Sequence, residues 1–192
     1  LALEARFSPH EDHIAIDGTI RDLTGEDRAV SIYLSLPFDA EGGSWHDGLN
    51  VVRDIDAPLT YTNVVRADAG PNGHASRYPL GCVTSDASGA AIGIPMDQPR
   101  LAEFAYDAAG REFYCAWHLG IAEETGSSAT FSASIYPVDA EWGFRDALRQ
   151  YYTLYPDCFT KRNRREGIWM PFTDVSTVQG WEDFGFAFHE GD

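Results

Sequence analysis

Polar and apolar residues alternate through most of the first two thirds of the chain. Residues 1–7 alternate, and after a turn at 8–12 the pattern resumes over 13–22 with Ile14, Ile16 and Ile20 on one side. The clearest case is 29–37, where Val30, Ile32, Leu34 and Leu36 share a face. A period of two puts alternate side chains on one side of a strand, and Pro37, which cannot donate to a ladder, marks that strand's end. Residues 39–75 are richer in Gly, Asp and Asn, and predict short strands at 49–55 and 61–65 and a turn at 71–74. Further strands are predicted at 80–84, 90–94, 101–106, 112–119 and 130–137, with 107–110 as a hairpin turn. Short strands with turns roughly every 8–12 residues form the pattern of an antiparallel β-sandwich.

At residue 139 the period changes. Trp142, Phe144, Leu148, Tyr151, Tyr152 and Tyr155 recur at helical spacing. Asp139 can cap the first turn, Glu141 sits where the helix dipole favours negative charge, and Pro156 ends the helix because its ring clashes with a helical carbonyl. The basic cluster at 161–165 reads as a solvated linker. Apolar segments at 167–172 and 184–188 follow, the second with Phe184, Phe186 and Phe188 alternating. The fold expected is mainly β: a sandwich over 1–138, a linking helix and basic linker over 139–166, and a C-terminal strand segment over 167–192. That last segment reads as the opening of a second, incomplete unit.

Charge narrows the partners. Thirty acidic residues against fourteen basic ones give a formal charge of −16, which repels nucleic-acid backbones and anionic membranes. No apolar stretch approaches the roughly 20 residues of a spanning helix. Cys82, Cys115 and Cys158 are widely spaced, and no Cys/His cluster suggests a metal. Neither a phosphate-binding glycine motif nor a nucleophile elbow occurs, so no cofactor is expected. The chain opens on Leu1 within an alternating segment, which reads as a processed or excised start and leaves export open.

Three segments carry a resemblance. Residues 78–84 (YPLGCVT), 139–148 (DAEWGFRDAL) and 167–172 (GIWMPF) resemble the front part of large bacterial glycoside-hydrolase-like proteins. In these, a β-supersandwich similar to the galactose-mutarotase-like fold precedes a linking helix and a (β/α)8 barrel. The resemblance implies a non-catalytic sandwich that supports a barrel and contacts glycan. It makes 184–188 the first barrel strand, with His189 and Glu190 at the end where barrels place their chemistry. The hydrophobicity of the tail calls for cover of 167–192 by the remainder of the same protein or by another chain, and the isolated chain is expected to form oligomers. A free-standing module that binds carbohydrate or protein is the alternative.

Candidate contacts follow from residue type. Trp45, His46 and Asp47 fall in a Gly-rich stretch, where Trp45 serves either as a sugar-stacking platform or as an anchor folded onto the sandwich. Arg77 precedes a strand and can meet an acid at a domain junction. Trp117 should face inward and His118 outward. Trp169, Met170 and Phe172 suit an inter-domain contact, and Asp174 can cap a turn or reach a barrel rim. Glycoside hydrolysis needs two carboxyl groups across a sugar. Glu190 and Asp192, beside His189, are the nearest approach to such a pair, and they fit contacts to sugar hydroxyls better than catalysis.

Overall fold

The computed structural model describes residues 1–163, 165–172 and 174–190, with His189 described by its backbone alone. The chain divides into two compact units, Leu1–Cys158 and Phe159–Asp192.

The first unit begins with three long strands, β1 (Ala2–Pro9), β2 (Ile14–Arg21) and β3 (Arg28–Pro37). Five short ones follow: β4 (Ser44–His46), β5 (Val52–Asp54), β6 (Thr60–Thr62), β7 (Val64–Arg66) and β8 (His74–Ser76). Then come β9 (Leu80–Thr84), β10 (Gly89–Gly93), β11 (Ala102–Asp107), β12 (Glu112–Ile121) and β13 (Ser128–Val138), before helix α1 (Phe144–Leu154). Among the described residues a seven-stranded sheet runs β1-β2-β13-β10-β9-β4-β5 and a four-stranded sheet runs β3-β12-β11-β6. Both are antiparallel, and β7 and β8 form a separate ribbon.

The core lies where the two sheets face each other. Trp45, Val83, Ile92 and Phe131 from one sheet pack with Phe104, Phe113, Cys115 and Trp117 from the other. The expected alternation holds in β3, whose Val30, Ile32, Leu34 and Leu36 turn towards this core while Tyr33 is exposed. Strands β9 and β10 do not alternate, because every residue in them is buried. Their second face meets α1: Leu80, Cys82, Ala91 and Tyr136 pack with Phe144, Ala147 and Tyr151. Close approach there requires a small residue, and a Cβ at Gly93 would lie 2.9 Å from the Tyr151 ring. Tyr151 and Tyr136 are tied as well as packed, Tyr151 Oη donating to Ile94 O at 2.5 Å and Tyr136 Oη to Ala147 O at 3.2 Å. Cys82 and Cys115 are buried free thiols in the two different layers.

The helix starts later than expected. Trp142 N and Gly143 N both donate to Asp139 O, at 3.2 and 2.8 Å, closing a turn before the helix. Gly143 then takes φ +48°, a backbone state that disfavours any side chain. Asp139 therefore caps Glu141 N in that turn, at 2.9 Å, instead of the helix. The buried carboxylate of Asp146 serves the first helical turn, accepting from Asp139 N and from Arg149 and Gln150. Trp142, expected in the helical stripe, is displaced from it and 56 % exposed.

In the second unit β14 (Ile168–Met170) pairs in parallel with β15 (Phe186–His189). The alternating phenylalanines do not form one continuous strand. Phe184 ends a 3-10 turn, Trp181–Phe184, and Gly185 at φ +70° separates it from β15. The segment is apolar and open: Phe172 is 89 % exposed, and Ile168, Trp169 and Phe184 are each more than half exposed.

Candidate functional site

The β4–β5 hairpin and the chain beside it build a polar cleft of about 510 Å³ at one edge of the seven-stranded sheet. Its walls come from the hairpin loop after His46, from Arg53, Thr62, Asn63 and Val64, and from Arg77 and Tyr78. The hairpin is narrow because Asp47 N donates to Val51 O at 3.0 Å. Tyr78 backs it, lying so close to Gly48 that a Cβ there would sit 3.0 Å from the ring. The Tyr78 ring also leans on Phe144, with centroids 5.4 Å apart, which ties this wall to α1.

One charged group is locked in place. Arg53 Nη2 donates to Asp47 Oδ1 at 2.7 Å and to Thr62 O at 2.6 Å, and its guanidinium lies 5.5 Å from the centroid of the Tyr61 ring. Asp47 Oδ1 also accepts from Trp45 Nε1 at 2.9 Å, so a core indole and a cleft guanidinium share one carboxylate. Such a network fixes direction more than it adds stability.

The unusual group is Asn63. Its residue is 7 % exposed, yet neither Oδ1 nor Nδ2 has a hydrogen-bond partner, and Arg53 Nε is likewise buried and unpaired. Buried polar groups are nearly always paired, and leaving one unpaired costs about 1–3 kcal/mol. Both residues line the same cleft. These three atoms are closed to solvent and unpaired within the folded chain, on two residues that line one cleft. Arg77 N donates to Asn63 O at 3.3 Å, which holds the exposed Arg77 at the same wall.

His46 closes the opposite side of the hairpin. Its Nε2 lies 3.0 Å from Thr84 Oγ1, and Gly143 presses on the ring, where a Cβ would come within 2.3 Å. Burial lowers the imidazole pKa below the ordinary value of 6.5. The folded state therefore favours the neutral ring. Its contribution is complete above about pH 6.5 and is lost as pH falls towards the lowered folded value. Urea unfolding at pH 7.5 and 5.5 should show wild type losing stability at the lower pH, with His46→Gln losing less. An NMR titration should place the His46 midpoint below 6.5.

Of the residues expected to touch ligand, Asp47 and Arg77 line this cleft, and His46 lines the hollow on the other side of the hairpin. Trp45 does not serve as a platform: it lies in a strand, not a loop, is 0 % exposed, and meets Phe113 edge-on at 6.1 Å. Pairing of β4 with β9 turns it into the core. Asp174 and Glu190 belong to the second unit. Asp174 caps the turn Val175–Thr177, its Oδ1 accepting from Ser176 N at 2.9 Å. Glu190 Oε2 accepts from Phe172 N at 3.4 Å. The His189 side chain and Asp192 lie outside the described residues.

Trp117 is core, as expected. His118 has partners that sequence spacing could not reveal, because they lie on neighbouring strands. Ser31 Oγ is 2.9 Å from its Nδ1; its Nε2 is buried without a hydrogen bond, with Glu103 Oε1 3.4 Å away, and Asn72 donates to Glu103 at 2.6 Å. The order hydroxyl, imidazole, carboxylate suggests nucleophilic catalysis. Neither Ser31 nor His118 lines the Asn63 cleft, however, and the Asn72–Glu103 bond gives the group the work of fastening the loop before β8 to the sheet.

A larger hollow of about 710 Å³ lies near Tyr106 and Arg111. Its strongest donors are already engaged, Tyr106 Oη with Phe38 O and Arg111 with Asp39 and Glu41. Among the described residues no His, Cys, Asp and Glu side chains gather as a metal site, and no helix is long and apolar enough to cross a membrane. Comparison with protein-family models, curated proteins and solved structures finds no match to this chain.

Proposed function

We propose that the sandwich is a non-catalytic, glycan-contacting part of a carbohydrate-active, glycoside-hydrolase-like protein, and that the Asn63 cleft takes the sugar. The observation that carries this reading is the polar cleft itself, whose lining brings Asp47, Asn50, Asn63 and Arg77 together, with the Asn63 amide and Arg53 Nε unpaired behind its surface. Sugar hydroxyls donate and accept in turn, and a cleft lined by amides, a carboxylate and guanidinium groups answers both. Asp47 and Arg77 supply further polar contacts at the walls. The segment 167–192 is proposed as the start of a barrel covered by the remainder of the protein or by another chain. The exposed Ile168, Trp169 and Phe172 support that part. The alternative of a free-standing binding module is favoured by one fact: every cleft residue named here lies within the first compact unit.

The test is a glycan array probed with the chain and with Arg77→Gln. Arg77 is exposed, so the variant should fold normally and lose about tenfold in affinity for the bound sugar, the effect of one charge-assisted hydrogen bond. No sugar retained, or one retained equally by both proteins, would count against the reading.

A further inference from the structure

A second hollow gives the site a length. It holds about 250 Å³, shares Leu49 with the Asn63 cleft, and lies between the β4–β5 hairpin and the turn that precedes α1. Trp142 is at its wall and 56 % exposed, flanked by Glu141 and Arg145. The exposure has a structural cause. The bonds from Trp142 N and Gly143 N to Asp139 O close a turn, and the left-handed Gly143 starts the helix one residue later. Core packing does not claim this indole, and the turn fixes where it leaves the backbone. The two hollows differ in chemistry: one is lined by polar residues, Asp47, Asn50, Asn63 and Arg77 among them, the other by a flat apolar ring with a carboxylate and a guanidinium beside it. A pyranose needs both kinds of surface, since its C–H face packs on an aromatic ring while its edge carries hydroxyls.

Resting on the sugar reading above, we infer that the ligand is an oligosaccharide lying along the β4–β5 hairpin, one residue stacked on Trp142 and another held by Asn63 and Arg77. Trp142, not Trp45, is then the stacking platform. A monosaccharide fills the Asn63 end alone and gains nothing from the indole.

Calorimetric titration of the 192-residue chain with glucose, xylose, mannose and galacturonate, and with their linear oligomers up to six residues, tests this. Affinity should rise with length in at least one series. Trp142→Ala should remove about tenfold of that rise while leaving the monosaccharide unchanged, and Trp142→Phe should restore part of it. Binding that is independent of length, or a rise that survives in Trp142→Ala, overturns the inference and leaves the sugar reading standing. No binding in any series, together with a silent glycan array, removes both.

Discussion

Trp45→Ala should lower the unfolding midpoint of the sandwich by roughly 10–15 °C, the largest single effect expected in this molecule. The indole is 0 % exposed and sits between the sheets against Phe113. Truncating a buried tryptophan removes its apolar burial and leaves a cavity, together about 3–5 kcal/mol. A second loss follows, because Asp47 Oδ1 keeps Arg53 but loses the indole donor. The cleft wall should loosen along with the core. Trp45→Phe separates the two effects, since it retains most of the volume and drops the hydrogen bond. It should cost much less stability yet weaken sugar binding through Asp47 and Arg53. Thermal unfolding by circular dichroism measures the first quantity and titration the second. A Trp45→Ala protein as stable as wild type would mean that the residue is not core at all.

This tryptophan also marks where sequence stops being informative. Strand β3 was legible because one face meets the core and the other meets water, so burial writes a period of two into the residues. The hairpin at Asp107–Glu112 was legible from its turn residues. Trp45 was not, because its strand has three residues inside a Gly-rich stretch and exists through pairing with β9 and β5. Two-sided burial of β9 and β10 likewise depends on a helix some fifty residues later in the chain, beginning at Phe144. The helix start was misread because Gly143, not Asp139, decides it. Of the residues lining the proposed cleft, Asp47 and Arg77 were named from residue type. Asn63 and Arg53 were missed, since lacking a partner is a property of the folded surroundings. One sequence signal was there: Asn63 falls between Tyr61 and Val65 on the same side of a predicted strand, a polar residue at an inward position.

Asn63→Leu should make the unliganded protein more stable, by about 1–2 kcal/mol, and abolish sugar binding. The two side chains share one branched four-heavy-atom shape, Leu being the bulkier, so the substitution removes two unpaired polar atoms at the cost of some tighter packing. Most buried substitutions destabilise; a gain here identifies a group kept polar for something outside the fold. Asn63→Ala serves as a control, because it removes the amide but also leaves space, and should bind no sugar while gaining less stability. Chemical unfolding of the three proteins gives the order Leu variant, Ala variant, wild type. Wild type as the most stable of the three would show that the amide is already satisfied in the folded chain.

The side-chain amide of Asn63 can be followed directly by ¹H–¹⁵N NMR, its signal identified as the NH2 pair absent from Asn63→Leu. On addition of the sugar that the chain retains, this pair should shift and exchange more slowly with water. A sugar that binds while the Asn63 amide stays unmoved, or that binds Asn63→Leu equally well, would contradict the assignment of this cleft.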